Sequence, residues 1–127
     1  MRTIILDTDF ILTSVKFKID IEQQLKKLCD FNFNISYLDK TLDELKNKPN
    51  EKLAKAVISN FNIIKTTRDK SVDELILNIS DNNTIVATQD KELKEKLKKG
   101  KIAIITIRQK KYLVFAWGIE NVLWSWS

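Results

Sequence analysis

Short apolar runs alternate with stretches whose apolar residues recur at helical spacing along most of this chain. The runs are rich in Ile, Val and Thr, and they predict buried strands over residues 3–7, 33–38, 61–65, 84–87 and 102–107. Strands that alternate with helices indicate right-handed βαβ units, and such units form a parallel sheet covered on both faces. The predicted fold class is therefore α/β, with three α/β/α layers around a central, mainly parallel sheet.

The first segments between the strands predict amphipathic helices with recognisable ends. A helical stretch that begins at residue 11 continues over 19–28, where Asp20 fits the N-cap position. The helix predicted over 40–46 ends before Pro49, because the residue before a proline disfavours the helical conformation.

The later helices carry stronger end signals. Asn50 is predicted to cap one helix, and Ser71 with Glu74 forms a Ser-x-x-Glu capping box at the start of another. The last helix, 91–98, is closed by Gly100. The apolar positions predicted to face inward from the helices after Asn50 and Ser71 are Leu53, Val57, Ile58, Leu75, Ile76 and Ile79.

Composition narrows the functions open to this chain. With 127 residues, 43% hydrophobic and 31% charged, residues 1–127 are predicted to form a single globular domain. The chain has no histidine, one cysteine and two glycines, which excludes Ser-His-Asp catalysis, Cys- or His-rich zinc sites and Gly-rich phosphate loops. An enzyme of this composition would rely on carboxylates, hydroxyls, lysines and a bound metal.

Charge and cysteine usage bear on partners and compartment. The net charge of +5 fits a polyanionic partner, and it also fits the compositional bias of a Lys-, Ile- and Asn-rich genome. The lone Cys29 fits a reducing compartment, and no apolar run reaches the length that spans a bilayer. Arg2 before a short apolar stretch is not a secretory signal, so we expect a cytoplasmic protein with no membrane partner.

Acidic residues follow the ends of four predicted strands. Asp7 follows the first strand, Glu44 lies on the helix after the second, Asp73 lies in the first turn after the third, and Asp90 follows the fourth. Because the carboxyl ends of parallel strands share one sheet edge, these side chains are expected to converge. Their charges would repel one another and raise their pKa values, and a hard cation such as Mg²⁺ or Mn²⁺ would relieve that repulsion.

Each acidic residue also has a structural interpretation. Asp7 and Asp9 could cap the helix that follows them, Asp90 could cap the last helix, and Asp73 could favour the positive end of a helix. Glu44 could pair with the lysine four residues further on. None of these interpretations predicts that an acidic position recurs at the same sheet edge four times.

The acidic blocks resemble those of the PIN-domain nucleases. "ILDTDF", "YLDKTLDELKNK", "SVDELIL" and "VATQDKEL" occur in the family's order, although Asp9 stands where the family usually has Asn. The second block is the loosest, and it leaves Asp43 open as an alternative to Glu44. "DTDFILTSVKFKIDI" and "TQDKELKEKLKKGKIAIITIRQKKYL" are similar to the branch that processes small-subunit ribosomal RNA, the Fcf-like proteins and their archaeal relatives. The resemblance covers residues 4–113.

The resemblance implies a metal-dependent endoribonuclease that matures small-subunit rRNA, with pre-rRNA as its partner. Carried over by position, the catalytic ligands of one or two Mg²⁺ or Mn²⁺ ions would be Asp7, Glu44, Asp73 and Asp90, with Asp9 as a further ligand. Two ions about 3.5–4 Å apart would activate a water and neutralise the leaving oxygen. Thr8 and Thr88 would orient carboxylates or water by hydrogen bonds.

The basic segment after the last parallel strand is expected to lie at the same edge and to hold RNA phosphates through Arg108, Lys110 and Lys111. Tyr112 or Phe17 would be available to stack on a base, with core packing expected for Phe17.

The tail, residues 112–127, contains three tryptophans and fits either a last strand or helix that completes the core, or a surface for a partner. In the second case Trp124 and Trp126 would contact the partner, and the resemblance implies a homodimer or a ribosome-assembly protein there.

Two rival functions remain open. One is a toxin nuclease of a toxin–antitoxin pair, which shares the catalytic set. The other is a PIN-like RNA-binding module that does not cleave.

Overall fold

Residues 1–120 are described in the computed structural model of this protein, and within them six strands form one sheet. The strands are β1 (Arg2–Leu6), β2 (Phe33–Leu38), β3 (Asn62–Ile64), β4 (Thr84–Ala87), β5 (Ala103–Arg108) and β6 (Tyr112–Trp117). The helices are α1 (Thr8–Lys16), α2 (Ile21–Leu28), α3 (Asp39–Leu45), α4 (Glu51–Ile58), α5 (Val72–Ile79) and α6 (Lys91–Lys99). The five predicted strands are therefore present, and each of their ends moves by one residue or not at all.

The sheet has the order β3-β2-β1-β4-β5-β6, in which the first five strands are parallel and β6 runs antiparallel to β5. β1 is central: its residue Ile4 pairs with Ile35 of β2 on one side and Ile85 of β4 on the other. The chain leaves β1 towards β2 and leaves β4 towards β5. The direction of strand addition therefore reverses between β1 and β4, and this is where ligands bind in open α/β sheets.

Alternation along β1 divides the core between the two faces of the sheet. Ile4 and Leu6 belong to a buried cluster with residues from α1 to α4, whereas Ile5 belongs to a second cluster with residues from α5 and α6. Because both faces are covered, the parallel strands are apolar on both sides, as their sequences indicate. The predicted three-layer α/β/α class is confirmed.

Most helix ends match their sequence signals. The Asp20 carboxylate accepts a hydrogen bond from Gln23 N at 3.1 Å, and Ser71 Oγ accepts one from Glu74 N at 3.3 Å. Gly100 caps the end of α6. Asn50 is the N-cap residue of α4, as predicted, and its carbonyl accepts a hydrogen bond from Ala54 N at 2.9 Å, but its backbone is left-handed, with φ 67°, and its side chain makes no capping bond.

Two positions predicted to face inward are exposed. Leu53 is 54% exposed because the buried side of α4 runs through Ala54 and Ile58, and Leu53 lies off that side. Ile79 is 38% exposed because α5 ends there and no further turn packs over it. Val57 packs partly against the core, as predicted.

The beginning of the tail completes the sheet as β6. Gly118 follows β6 with φ 81°, and a Cβ there would lie 2.8 Å from Ala103 Cα, so no larger residue fits without a shift of backbone. Residues 121–127, with Trp124 and Trp126, lie outside the described residues, and the partner surface predicted there stays a prediction. Within residues 1–120 no helix has the length and apolar character needed to cross a bilayer.

Candidate active site

One cavity at the carboxyl edge of the sheet contains every carboxylate that the sequence singled out as a ligand. It has a volume of about 480 Å³. Its lining residues are Asp7, Thr8, Asp9, Leu12, Glu44, Lys48, Asp73 and Asp90. The four strand-end positions therefore converge, as parallel topology predicts, beside the reversal between β1 and β4.

Asp7 lies at the floor of this cavity, at the junction between β1 and α1. Its side chain is 3% exposed; Oδ1 accepts a hydrogen bond from Thr8 N at 2.9 Å, and Oδ2 accepts one from the Thr88 hydroxyl at 2.7 Å. Burial, followed by the charge of Asp9, raises the pKa of Asp7 to about 8, although the Thr88 hydrogen bond acts in the opposite direction. Asp7 is thus both the N-cap of α1 and a member of the cluster.

Asp9 lies two residues further on, in the first turn of α1. Its Oδ1 accepts a hydrogen bond from Gln89 N at 3.3 Å, which ties α1 to the end of β4. Burial raises the pKa of Asp9, and the hydrogen bond from Gln89 N lowers it in part. Both aspartates are therefore harder to ionise than an exposed aspartate.

Glu44 reaches the cavity from α3, and its neighbour Asp43 does not line it. Glu44 Oε1 accepts a hydrogen bond from the Thr8 hydroxyl at 2.7 Å, whereas Asp43 Oδ2 is paired with Arg68 at 2.6 Å. Lys48 lies beyond the end of α3, so the helical Glu44–Lys48 pair considered from sequence does not form. The geometry favours Glu44 over Asp43 as the acid of this block.

Asp90 and Asp73 approach from the other helical layer. Asp90 is the N-cap of α6, and its Oδ1 accepts a hydrogen bond from Leu93 N at 2.9 Å. Asp73, in the first turn of α5, is half-buried. Burial, then the charges of Asp90, Glu44 and Asp9, raise the pKa of Asp73, so both burial and the neighbouring carboxylates disfavour its ionised form.

The sequence and the fold of this chain have matches among known proteins. A family model described as a PIN like domain matches residues 4–110. The chain belongs to the PIN-like domain family. The resemblance carried by the four acidic blocks is thereby confirmed at the level of the family.

Two individual matches agree with that membership. Ribonuclease VapC4 of Methanocaldococcus jannaschii is 37% identical over 125 residues, which cover 88% of this chain and 95% of that protein. The structure of the PIN domain endonuclease Utp24 has a TM-score of 0.76 to this PIN-like domain, covers 90% of each chain and is 23% identical. At that identity the second match shows the shared fold.

The donor chemistry of the PIN-like domain suits a hard divalent cation. Glu44 and Asp90 each have one oxygen held by a protein donor, and within residues 1–120 the other oxygen makes no hydrogen bond. Carboxylate oxygens are the ligands that Mg²⁺ and Mn²⁺ favour. Among residues 1–120, no three acidic side chains lie close enough together to hold one metal ion as they stand. The residues present therefore fit a metal by donor type and shared cavity.

The predicted RNA-contacting residues lie at the same edge of the PIN-like domain but outside the cavity. Arg108 ends β5, and Lys110 and Lys111 belong to the β5–β6 turn, which Lys111 N closes through a 3.1 Å hydrogen bond to Arg108 O. Lys110 Nζ lies 5.4 Å from the ring centroid of Phe17, which packs against the core. Phe17 therefore packs against the core, as expected, and the Lys110 ammonium group makes a cation–π contact with its ring.

Two positions near the site carried no clear sequence signal. Lys48 lines the cavity from the loop before Pro49, where no periodic pattern specifies side-chain direction. Gln89 joins β4 to β5: its Oε1 accepts hydrogen bonds from Thr106 Oγ1 at 2.7 Å and Ile107 N at 2.6 Å. Only its position between Thr88 and Asp90 could have drawn attention to it.

Proposed function

We propose that this PIN-like domain is a metal-dependent endoribonuclease that hydrolyses RNA phosphodiester bonds. The observation that carries the proposal is the single cavity in which Asp7, Glu44, Asp73 and Asp90 meet, with Asp9 as a further acid. The ribonuclease name of the relative at 37% identity supports the same activity. The first four residues are assigned as the catalytic ligands of one or two Mg²⁺ or Mn²⁺ ions.

Two threonine hydroxyl groups orient two of these carboxylate ligands. The hydroxyls of Thr8 and Thr88 donate to Glu44 and Asp7, which fixes the direction of both carboxylates before any ion arrives. When bound, a divalent ion supplies an acidified water and positive charge against the phosphate oxygens. No histidine is required, which agrees with a chain that has none.

The proposal also concerns which RNA this PIN-like domain cleaves. Similarity of the first and last sequence blocks supports the maturation of small-subunit rRNA, with pre-rRNA as partner and the cytoplasm as compartment. A toxin-type ribonuclease with other targets stands beside it on equal terms, since the relative's name specifies a ribonuclease and no rRNA. RNA crosslinked in cells to the Asp7→Asn variant separates them: reads at one rRNA site favour maturation, and reads across tRNA or mRNA favour the toxin type.

Cleavage itself is tested with purified protein, a labelled RNA and Mn²⁺. Asp7→Asn and Asp90→Asn are each expected to lower the cleavage rate at least a hundredfold, whereas Asp30→Asn, a change at an exposed position away from the cavity, should cut as wild type does. Equal rates for wild type and both site variants would refute the catalytic assignment. RNA binding without metal-stimulated cleavage would identify a non-cleaving PIN-like module.

A further inference from the structure

The side-chain amide of Gln89 takes the place of a backbone partner where β4 ends. Thr88 N still bonds to Ile105 O of β5, at 3.0 Å, and the chain then turns away into α6. Further along β5, Ile107 N donates to Gln89 Oε1 at 2.6 Å, and Ile107 O accepts from Gln89 Nε2 at 3.3 Å. Ile107 is buried, so this amide gives both of its backbone groups a partner where β4 no longer supplies one.

The orientation of this amide is fixed by the groups around it. Thr106 Oγ1 donates to Gln89 Oε1 at 2.7 Å and accepts from Lys94 Nζ at 2.9 Å. An ammonium group has only donors, so the Thr106 hydroxyl hydrogen points away from Lys94 and towards Gln89. That hydrogen and the Ile107 N–H both require an oxygen at the same end of the amide, which leaves Nε2 to face Ile107 O. The Gln89 side chain is therefore held at both ends.

The backbone of Gln89 faces the carboxylate cavity. Gln89 N donates to Asp9 Oδ1 at 3.3 Å, and Asp9 lines the cavity together with Asp90, the residue that follows Gln89. This hydrogen bond lowers the pKa of Asp9 against the effect of burial, so it favours the ionised carboxylate. A bond at 3.3 Å weakens steeply if its donor rotates, and the bonds of the Gln89 side chain oppose such a rotation of the peptide.

We propose that Gln89 is a positioning residue for Asp9, and that Thr106 holds Gln89 in place. The proposal rests on the proposed function, because it takes Asp9 as a ligand of the metal ion. The Gln89 side chain is bonded to β5, and only its backbone N–H reaches Asp9. A metal ion should therefore bind more weakly when the Gln89 side chain loses its partners, although every carboxylate is intact.

The first test is Mn²⁺ binding, measured by calorimetry without RNA. Gln89→Met keeps the length of the side chain and removes its donor and acceptor. It should weaken Mn²⁺ binding about tenfold, because the outer partners of metal ligands typically contribute that much to affinity. Gln23→Met makes the same change at an exposed position on α2 and should bind as wild type does. Equal affinity in Gln89→Met and wild type would overturn the proposal.

A double-mutant cycle separates an effect through Asp9 from a general loss of structure. In an Asp9→Ala background, Gln89→Met should change Mn²⁺ affinity by less than about twofold, because the carboxylate that Gln89 holds is already gone. A tenfold loss in both backgrounds would show that Gln89 acts on Asp90 or on the fold as a whole, and it would overturn the proposal.

The role of Thr106 is tested by two variants that differ in one hydroxyl group. Thr106→Val removes the bond to Gln89 and should weaken Mn²⁺ binding about threefold, less than Gln89→Met does, because Ile107 N still holds the amide. Thr106→Ser keeps the hydroxyl and should restore binding to within about twofold of wild type. Equal losses in the two variants would contradict the role given to Thr106.

A measurement without metal keeps this proposal distinct from the proposed function. In EDTA, the backbone amide proton of residue 89 should shift with the ionisation of Asp9 in an NMR pH titration, because a hydrogen bond to a charged carboxylate is stronger. Gln89→Met should reduce this shift, and Gln23→Met should not. An unchanged shift in Gln89→Met would overturn the proposal. A normal shift response in a wild-type protein that binds no Mn²⁺ would refute the metal-dependent function and still support the hold of Gln89 on Asp9.

Discussion

The Thr88 hydroxyl lies 2.7 Å from Asp7 Oδ2, and both side chains are buried, so a residue at the end of β4 fixes the carboxyl group at the end of β1. The same Thr88 oxygen accepts a hydrogen bond from Asp90 N at 3.0 Å. One side chain therefore links two of the four acids across neighbouring strands. Because of this link, Asp7 and Asp90 do not merely lie at the same sheet edge; their hydrogen-bond donors and acceptors have a defined arrangement.

Thr88→Val should remove this link while keeping the volume of the side chain. The variant loses a hydrogen bond to a buried carboxyl group, and we expect about 1–3 kcal/mol less stability and about 10–100-fold weaker Mn²⁺ binding. Chemical unfolding and calorimetric titration measure the two effects. Thr88→Ser, which keeps the hydroxyl, is the control, and equal metal affinity in Val and Ser variants would show that Thr88 only fills space.

Metal binding by this protein should depend on pH well above the usual carboxylate range. Because burial raises the pKa of Asp7 to about 8, an ion that binds Asp7 must displace a proton at pH 6 to 7. We expect the apparent affinity for Mn²⁺ to rise about tenfold per pH unit from 6 to 8 and then to level off. Calorimetry at pH 7 in two buffers of different ionisation enthalpy should show about one proton released per ion, and no proton release would mean either that Asp7 is already ionised at pH 7 or that it does not bind the ion.

The location of the candidate site could be predicted from sequence because it depends on topology. Asp7 and Asp90 each follow a run of apolar residues, and parallel strands bring such positions to one edge whatever the details of packing. The capping interpretations of both residues were also correct, since a helix start and a strand end coincide there. Asp7 and Asp90 can therefore cap a helix and line the cavity at the same time.

The parts that sequence did not reveal depend on side-chain direction and on loops. Asp43 and Glu44 are adjacent, and only the rotation of α3 decides that Glu44 faces Thr8 while Asp43 meets Arg68. Leu53 shows the same uncertainty within α4, where a shift of one position moves a side chain out of the core. Lys48 lies in a loop, where no periodicity constrains its direction.

The adjacent acids of α3 offer a matched pair of variants. Glu44→Gln should lower the cleavage rate at least tenfold, because Gln keeps the shape and the acceptor for Thr8 but loses the charge that a metal needs. Asp43→Asn breaks an exposed pair with Arg68 and should change stability by less than about 1 kcal/mol with near wild-type cleavage. Cleavage rates measured in Mn²⁺ compare the two variants. A larger loss of rate in Asp43→Asn than in Glu44→Gln would assign the ligand to Asp43 instead of Glu44.

Asp7→Asn should stabilise the metal-free protein at neutral and alkaline pH while abolishing cleavage. The ordinary carboxyl pKa of 3.8 applies to the unfolded chain, and the folded value is about 8. Below pH 3.8 both states hold the proton and the residue contributes no pH dependence. Between these values the folded protein binds more protons than the unfolded chain, so stability falls as pH rises.

Denaturant unfolding in EDTA at pH 5 and pH 8 measures this effect. Relative to Asp7→Asn, wild type should lose up to about 4 kcal/mol of unfolding free energy over those three units, at about 1.4 kcal/mol per unit. Asp30→Asn serves as the control and should follow wild type. Saturating Mn²⁺ should close much of the gap at pH 8, because the ion compensates the buried charge. Parallel pH curves for wild type and Asp7→Asn would mean that Asp7 is already ionised in the folded protein at pH 5.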